Sequence, residues 1–140
     1  MRRDQCRERW QVERLGMYGA VALGGALGSV ARAWLGGVIG GALGTGFPWG
    51  TLAINVLGSF VIGWFAVATD DGARLEATTN WRVFVMVGVC GGFTTFSAFS
   101  LQTLELARAG ALGRAGAYVV GSVVLCLVGV WAGVALGRGG

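Results

Sequence analysis

Residues 83–104 read VFVMVGVCGGFTTFSAFSLQTL, an uncharged stretch with the length of a membrane span. About 20 apolar residues in a helix cross the hydrocarbon core of a bilayer. The middle of this stretch, Cys90 to Ser100, holds paired glycines followed by two threonines, and these residue types are poor helix formers. We therefore predict a transmembrane helix that breaks between Gly91 and Ser97. Broken backbone at membrane depth is tolerated only where protein buries it or where it lines a cavity.

Three further apolar runs of similar length flank this one, at residues 15–39, 49–68 and 112–136. The fold class predicted is an all-α membrane protein of four transmembrane helices, with the third helix broken in mid-membrane. Residues 15–138 form one four-span domain, and residues 1–14 form a charged N-terminal extension. A signal peptide is the alternative for the first run, but its apolar content continues past Arg32 and the second run follows at once.

The composition agrees with a membrane protein and excludes several functions. Of 140 residues, 54% are hydrophobic and 13% are charged, whereas soluble domains carry about 25% charged residues. The basic residues lack the continuous face that binding to nucleic acid needs. The three cysteines show no CxxC spacing, and histidine is absent. With no paired carboxylates, no nucleophile beside a base and no phosphate loop, the chain is not predicted to be an enzyme.

The arginines give a bias in orientation that comes mainly from the extension. With four spans, both termini and the loop around residues 69–82 share one side of the membrane. That side holds eight arginines against two, which favours termini in the cytoplasm. From Met17 onward the count is three against two, which is too weak to fix one orientation.

Small residues recur at steps of four in the first and fourth spans, which places each set on one helix face. They are Ala20, Gly24 and Gly28, and Gly129, Gly133 and Gly137. Such faces let helix backbones approach closely in lipid, so we predict tight packing there. Four helices enclose little volume, and a transport path is therefore predicted to need a second copy.

Uncharged polar side chains form stripes at steps of four in two spans. They are Thr51, Asn55 and Ser59 in the second span, and Tyr118, Ser122 and Cys126 in the fourth. Asn55 either bonds to a neighbouring helix or donates two hydrogen bonds to an anion. Each hydroxyl has the alternative of bonding back to its own helix. Two parallel stripes of neutral donors suit a small anion that must lose water without being trapped by a fixed charge.

The predicted break adds backbone carbonyls, aromatic rings and hydroxyls to these stripes. The freed carbonyls could coordinate a cation, and the hydroxyls that could line a path are those of Thr94, Thr95, Ser97 and Ser100. Phe93, Phe96 and Phe99 recur every three residues, a spacing that usually reflects packing. A phenyl ring is positive at its edge, however, and an edge-on ring can stabilise an anion.

Two charged residues lie within or beside the spans. Arg32 either attracts anions toward a vestibule or extends to the membrane interface, and we favour the first. Glu105 ends the third span and is predicted to face an interface.

Three motifs resemble those of the Fluc-type (CrcB) fluoride channels. They are GALGSVAR ending at Arg32, PWGTLAIN ending at Asn55 and GGFTTFSAFS from Gly91 to Ser100. The resemblance implies an antiparallel, dual-topology homodimer in the bacterial inner membrane that exports fluoride passively and so protects the cell. It also implies a structural sodium ion on the two-fold axis, held by the backbone carbonyls of Gly91 and Thr94, and no organic cofactor.

The same resemblance implies roles along the fluoride pathway. Asn55 would donate to fluoride, and Phe96 and Phe99 would be the pore phenylalanines. Further polar lining would come from Thr95, Ser97, Ser100, Tyr118, Ser122 and Cys126. Thr51 and Arg32 would lie nearer the aqueous mouth.

Three other functions compete with this interpretation. A small four-span proton-coupled exporter needs a carboxylate inside its first span, and the first span here has none. A cation channel needs an acidic ring, which the polar stripes lack. The polar stripes also argue against an accessory subunit that transports nothing.

Overall fold

The structure is a computed structural model that describes residues 2–70 and 78–139, with side chains from residue 14 onward. The predictions for Arg74 and for the side chains of residues 1–13 lie outside the described residues. The elements are α1 (Arg2–Leu43), α2 (Trp49–Ala68), α3 (Thr79–Arg82), a π-helix (Val83–Cys90), α4 (Gly91–Phe93), α5 (Phe96–Arg108) and α6 (Leu112–Arg138). The described part of the chain contains no strand, as predicted for an all-α protein.

Four segments of the described chain are long and apolar enough to cross a membrane, which confirms that prediction. They are Arg14–Leu43, Trp49–Ala68, Thr79–Arg108 and Leu112–Arg138. The first is longer than predicted because the helix continues through Gly40 and Gly41 and ends at Leu43, just before Gly44. Gly44 has a φ of 80°, the left-handed conformation that commonly ends helices at glycine.

The third span, Thr79–Arg108, breaks at Thr94 and Thr95, inside the predicted window. Both threonines have extended backbones, with φ and ψ of −83° and 157° for Thr94 and −152° and 114° for Thr95. Gly91 remains helical, with φ and ψ of −64° and −39°, so the glycines do not form the break themselves. The π-helix before the break was not predicted, since nothing in VFVMVGVC distinguishes a wider helical turn.

Glycines let α1 lie directly against the first half of the third span. A Cβ added to Gly24 would come within 2.5 Å of the Phe84 carbonyl oxygen, and one on Gly28 would collide with the Val89 carbonyl. Gly92 faces α1 in the same way, because its Cβ would lie 2.5 Å from the Gly25 carbonyl oxygen. The predicted packing role of the small residues in the first span is thus confirmed.

The glycines of the fourth span pack against α2. A Cβ on Gly129 would lie 3.0 Å from the Val56 carbonyl oxygen, and one on Gly133 would collide with the Phe60 carbonyl. The domain therefore consists of two closely packed pairs, α1 with the first half of the third span and α2 with α6. Since α4 contacts both α1 and α2, the break lies where the two pairs meet.

Candidate ion pathway

Asn55 binds the broken backbone from the side of α2. Its Nδ2 donates to the Thr95 carbonyl over 3.2 Å, and its Oδ1 accepts from the Thr95 amide over 2.8 Å. The helices approach this closely because Gly58, one turn further along α2, has no side chain; a Cβ there would collide with the Thr94 methyl group. Asn55 thus makes the helix–helix bond that was one of its two predicted roles, while a second N–H of its amide stays available.

Arg32 and Ser29 bind the break from the side of α1. The Arg32 Nε donates to the Gly92 carbonyl over 3.0 Å, and the Ser29 hydroxyl donates to the same oxygen over 3.4 Å. The Arg32 Nη2 lies 3.5 Å from the Ser29 hydroxyl. Neither contact was predicted from the sequence, where Arg32 was assigned to an anion or to the interface.

The two threonines of the break cap the helices on either side of it. The Thr94 amide and hydroxyl each donate to the Cys90 carbonyl over 2.9 Å. The Thr95 hydroxyl accepts from the Ala98 amide over 3.2 Å and so caps α5. Within the described residues, no donor is found for the carbonyl oxygens of Gly91 and Thr94.

An inner cavity of about 360 Å³ lies against the break and gathers polar groups from α2, the third span and α6. Its polar lining comprises Asn55, Ser59, Thr94, Thr95, Ser122 and Cys126, beside the rings of Phe96 and Phe99. Ser122 is only 6% exposed, and its hydroxyl has no hydrogen-bond partner in the part of the chain described. The structure therefore brings Asn55 and Ser59 of one predicted stripe together with Ser122 and Cys126 of the other at one cavity, while Thr51 and Tyr118 do not line it.

An outer cavity of about 560 Å³ lies on the other side of the break. Arg32, Thr51, Thr95, Gln102 and Glu105 all contribute to its lining. Thr95 lines both cavities, so the two cavities meet at the break. Glu105, which was predicted to face an interface, is exposed and also contributes to the lining of this cavity.

Aromatic rings form a continuous row from the break toward the α1–α2 loop. The centroids of Phe96 and Phe99 are 5.3 Å apart, those of Phe99 and Tyr118 5.1 Å, and those of Tyr118 and Phe47 5.4 Å. Tyr118 is completely buried, and its hydroxyl donates to Gln102 Oε1 over 3.0 Å. Phe96, by contrast, is 79% exposed in the single chain.

Three of the predicted lining residues, Ser97, Ser100 and Tyr118, are not among the residues that line either cavity. Ser100 is exposed, and its hydroxyl donates back to the Phe96 carbonyl over 2.9 Å, the alternative role stated for hydroxyls. Ser97 is also exposed, with its hydroxyl 3.2 Å from that of Thr95. In the single chain, Ser97 therefore contacts the break through Thr95, whereas Ser100 bonds within its own helix.

Two residues at these cavities were missed by sequence reasoning. Gln102 holds Tyr118 and lines the outer cavity; an amide inside the predicted third span, seven residues after Thr95, was a signal that could have indicated it. Phe47 packs edge-on against Tyr118 at an interplanar angle of 80°. It lies in a loop, and no pattern in the sequence marks it.

Comparison with known proteins places the chain in a family. The family model described as CrcB-like protein, Camphor Resistance (CrcB), matches residues 19–134. A Rhodospirillum rubrum protein named "Fluoride-specific ion channel FluC" is 61% identical over 81% of this chain and 88% of its own length. Proteins of the same name from Opitutus terrae and Paramagnetospirillum magneticum are 58% and 56% identical, over 85% and 83% of this chain and 90% and 91% of their own lengths. Because the matched residues include the break and most of every span, the chain belongs to the CrcB-like family, whose named relatives here are ion channels and not enzymes.

Proposed function

We propose that this chain forms a fluoride-selective channel that exports fluoride passively across the bacterial inner membrane and thereby protects the cell from its toxicity. The observation that carries the proposal is the inner cavity, where neutral donors from three spans meet beside the break. The names of the relatives at 61% and 58% identity support fluoride as the ion. Four membrane-capable helices agree with a multi-pass location.

The inner cavity suits an ion that holds its water strongly. Preorganised hydrogen-bond donors in a site that excludes water can replace a hydration shell. Asn55 has a second N–H to offer, and Ser122 has a buried hydroxyl that finds no partner among the described residues. The ring edges of Phe96 and Phe99 add positive electrostatic potential without a formal charge. Since none of these groups is ionised, the anion is stabilised without being trapped.

A second copy would complete the pathway. The Phe96 ring is 79% exposed in one chain, and a polar cavity open to hydrocarbon would be costly. We propose an antiparallel homodimer with two pathways, in which the partner covers the exposed side of the break. The weak bias in arginine count from Met17 onward agrees with insertion in both orientations.

A sodium ion fits the oxygens left free at the break. The carbonyl oxygens of Gly91 and Thr94 have no donor among the described residues, and neutral carbonyl oxygens are suitable ligands for hard cations. Two carbonyls are too few to replace the water around a cation, so the site needs oxygens from a second copy. Bound there, sodium would supply a fixed positive charge that joins the two broken helices.

Fluoride efflux from liposomes tests the proposed function. Purified protein in liposomes loaded with potassium fluoride is expected to release fluoride to an external electrode once valinomycin removes the opposing voltage. Liposomes loaded with chloride provide the control for selectivity, and the Phe96→Ile variant should release fluoride far more slowly because it lacks the ring edge. Absence of fluoride release, as an accessory subunit would show, or equal release of chloride, would contradict the proposal.

Labelling of single cysteines tests the orientation separately. A cysteine introduced at Arg138, on a chain whose native cysteines are changed to serine, is expected to react with a membrane-impermeant maleimide from both faces of the membrane. Exposed Arg138 lies at the end of α6, outside both cavities. Reaction from one face alone would exclude the antiparallel dimer.

A further inference from the structure

We infer that Arg32 is a positioning residue, whose charge orders the broken helix through the Gly92 carbonyl instead of attracting anions to the pathway. This inference rests on the proposed channel function, because it concerns the pathway of the proposed channel. Its test, however, does not require fluoride.

The contact places a fixed positive charge at the end of a helix. Gly92 belongs to α4, the last helical turn before the break, where backbone carbonyls have no partner further along the helix. Partial negative charge collects at such an end, and a cation there is stabilising. Arg32 Nε meets the Gly92 oxygen at 3.0 Å, and the Ser29 hydroxyl shares that oxygen at 3.4 Å.

The backbone around Gly92 is held too closely to move away from this contact. A Cβ on Gly92 would lie 2.5 Å from the Gly25 carbonyl oxygen, and one on Gly28 would lie 2.8 Å from the Phe93 amide nitrogen. Arg32 follows Gly28 by one helical turn, which brings its guanidinium beside the same segment. Arg32 therefore binds the broken helix at a point where its backbone is packed directly against α1.

The Arg32 contact has a counterpart on the other side of the break. Asn55 binds the Thr95 amide and carbonyl from α2, while Arg32 and Ser29 bind Gly92 from α1. Together they bind the backbone at Gly92 and at Thr95, on either side of Thr94. The directions of the Gly91 and Thr94 carbonyls, proposed above as sodium ligands, are then set by the protein before any ion arrives.

The surroundings of Arg32 argue against a role as an anion attractor. Two of its nitrogens already face protein oxygens, Nε the Gly92 carbonyl and Nη2 the Ser29 hydroxyl. Glu105 lines the same outer cavity and carries the opposite charge, which weakens any pull on an anion entering there.

Hydrogen–deuterium exchange in fluoride-free, sodium-free buffer tests the inference. The Arg32→Met variant has no donor, and exchange of the amides of residues 94–98 is expected to rise about tenfold or more, since a hydrogen bond from a charged group is among the stronger ones. Arg32→Gln keeps a neutral N–H and should show a smaller rise. Ser29→Ala, which keeps the guanidinium, should show a rise smaller still. Arg108→Gln removes an exposed charge at the end of α5 and should exchange like the unchanged protein.

Fluoride efflux from the same variants separates the two roles of Arg32. Positioning predicts that Arg32→Gln retains more flux than Arg32→Met, and that raising the fluoride concentration rescues neither. If Arg32→Met fails to fold, Ser29→Ala and Arg32→Gln carry the test through exchange alone. Unchanged exchange in both of these variants would overturn the inference. So would equal losses of flux in Arg32→Gln and Arg32→Met that high fluoride restores, because these losses would follow charge alone.

Discussion

Changing Asn55 to alanine is expected to abolish fluoride release and to destabilise the third span. The carboxamide bonds both the amide and the carbonyl of Thr95, at 2.8 and 3.2 Å. Each group left without a partner inside the protein costs about 1–3 kcal/mol. The same substitution removes the N–H that we propose for fluoride, so flux and stability should fall together. Electrode-monitored efflux and thermal unfolding in detergent measure the two effects.

Asn55→Asp separates these two roles. A carboxylate keeps the acceptor for the Thr95 amide but loses the donor to its carbonyl and adds a negative charge. The variant should therefore release no fluoride while unfolding at a temperature between those of Asn55→Ala and the unchanged protein. Leu57→Ala, a change on the same helix at a side chain that is 47% exposed, should keep its flux. Fluoride release from Asn55→Ala at the unchanged rate would refute the role of Asn55 in conduction.

Adding a single methyl group at Gly133 is expected to prevent α2 and α6 from packing. A Cβ at this position would collide with the Phe60 carbonyl and lie 2.8 Å from the Trp64 amide nitrogen. These are backbone atoms of a helix, so no side chain can rotate away to make room. Overpacking costs about 1–3 kcal/mol where neighbours can adjust, and a contact between backbones should exceed that range. The yield of monodisperse protein and its unfolding temperature measure the effect for Gly133→Ala.

Gly121→Ala provides a matched control on the same helix. A Cβ there meets nothing within 4 Å, and alanine is a better helix former than glycine by about 1 kcal/mol. The control should therefore be at least as stable as the unchanged protein. If both variants behaved alike, the close approach of α6 to α2 would not limit stability.

The spans were predictable because length and apolar content decide which segments cross a membrane. The position of the break was predictable to within a few residues, since glycine and threonine both disfavour helix. The exact site was not, because Gly91 and Gly92 both stay helical, and Gly92 lies directly against Gly25 of α1, a contact that depends on how two helices meet. The π-helix before the break could not be predicted, because the pattern of apolar residues there does not differ from that of an α-helix.

The candidate pathway was predictable where the sequence showed an isolated polar group in an apolar helix, as at Asn55 and Ser122. The hydrogen-bond partners of these groups were harder to predict. The bond from Arg32 to the Gly92 carbonyl, for example, forms only because the helix that contains Gly92 ends beside α1. Gln102 was overlooked although it is an amide within a span. Exposed Ser97 and Ser100 show that a hydroxyl near the break need not face the cavity formed by its own chain.

The first helix is long enough that a distance measured between its N-terminal ends in two paired chains reports whether the chains are parallel or antiparallel. From Arg2 to Leu43 it runs without interruption for 42 residues, about 63 Å at 1.5 Å per residue, roughly twice the thickness of the hydrocarbon core. Fluorophores placed near its first residue in two antiparallel copies would sit more than about 60 Å apart, with the whole bilayer between them. In two parallel copies both fluorophores would lie on the same face, so energy transfer between them distinguishes the two arrangements without any measurement of transport.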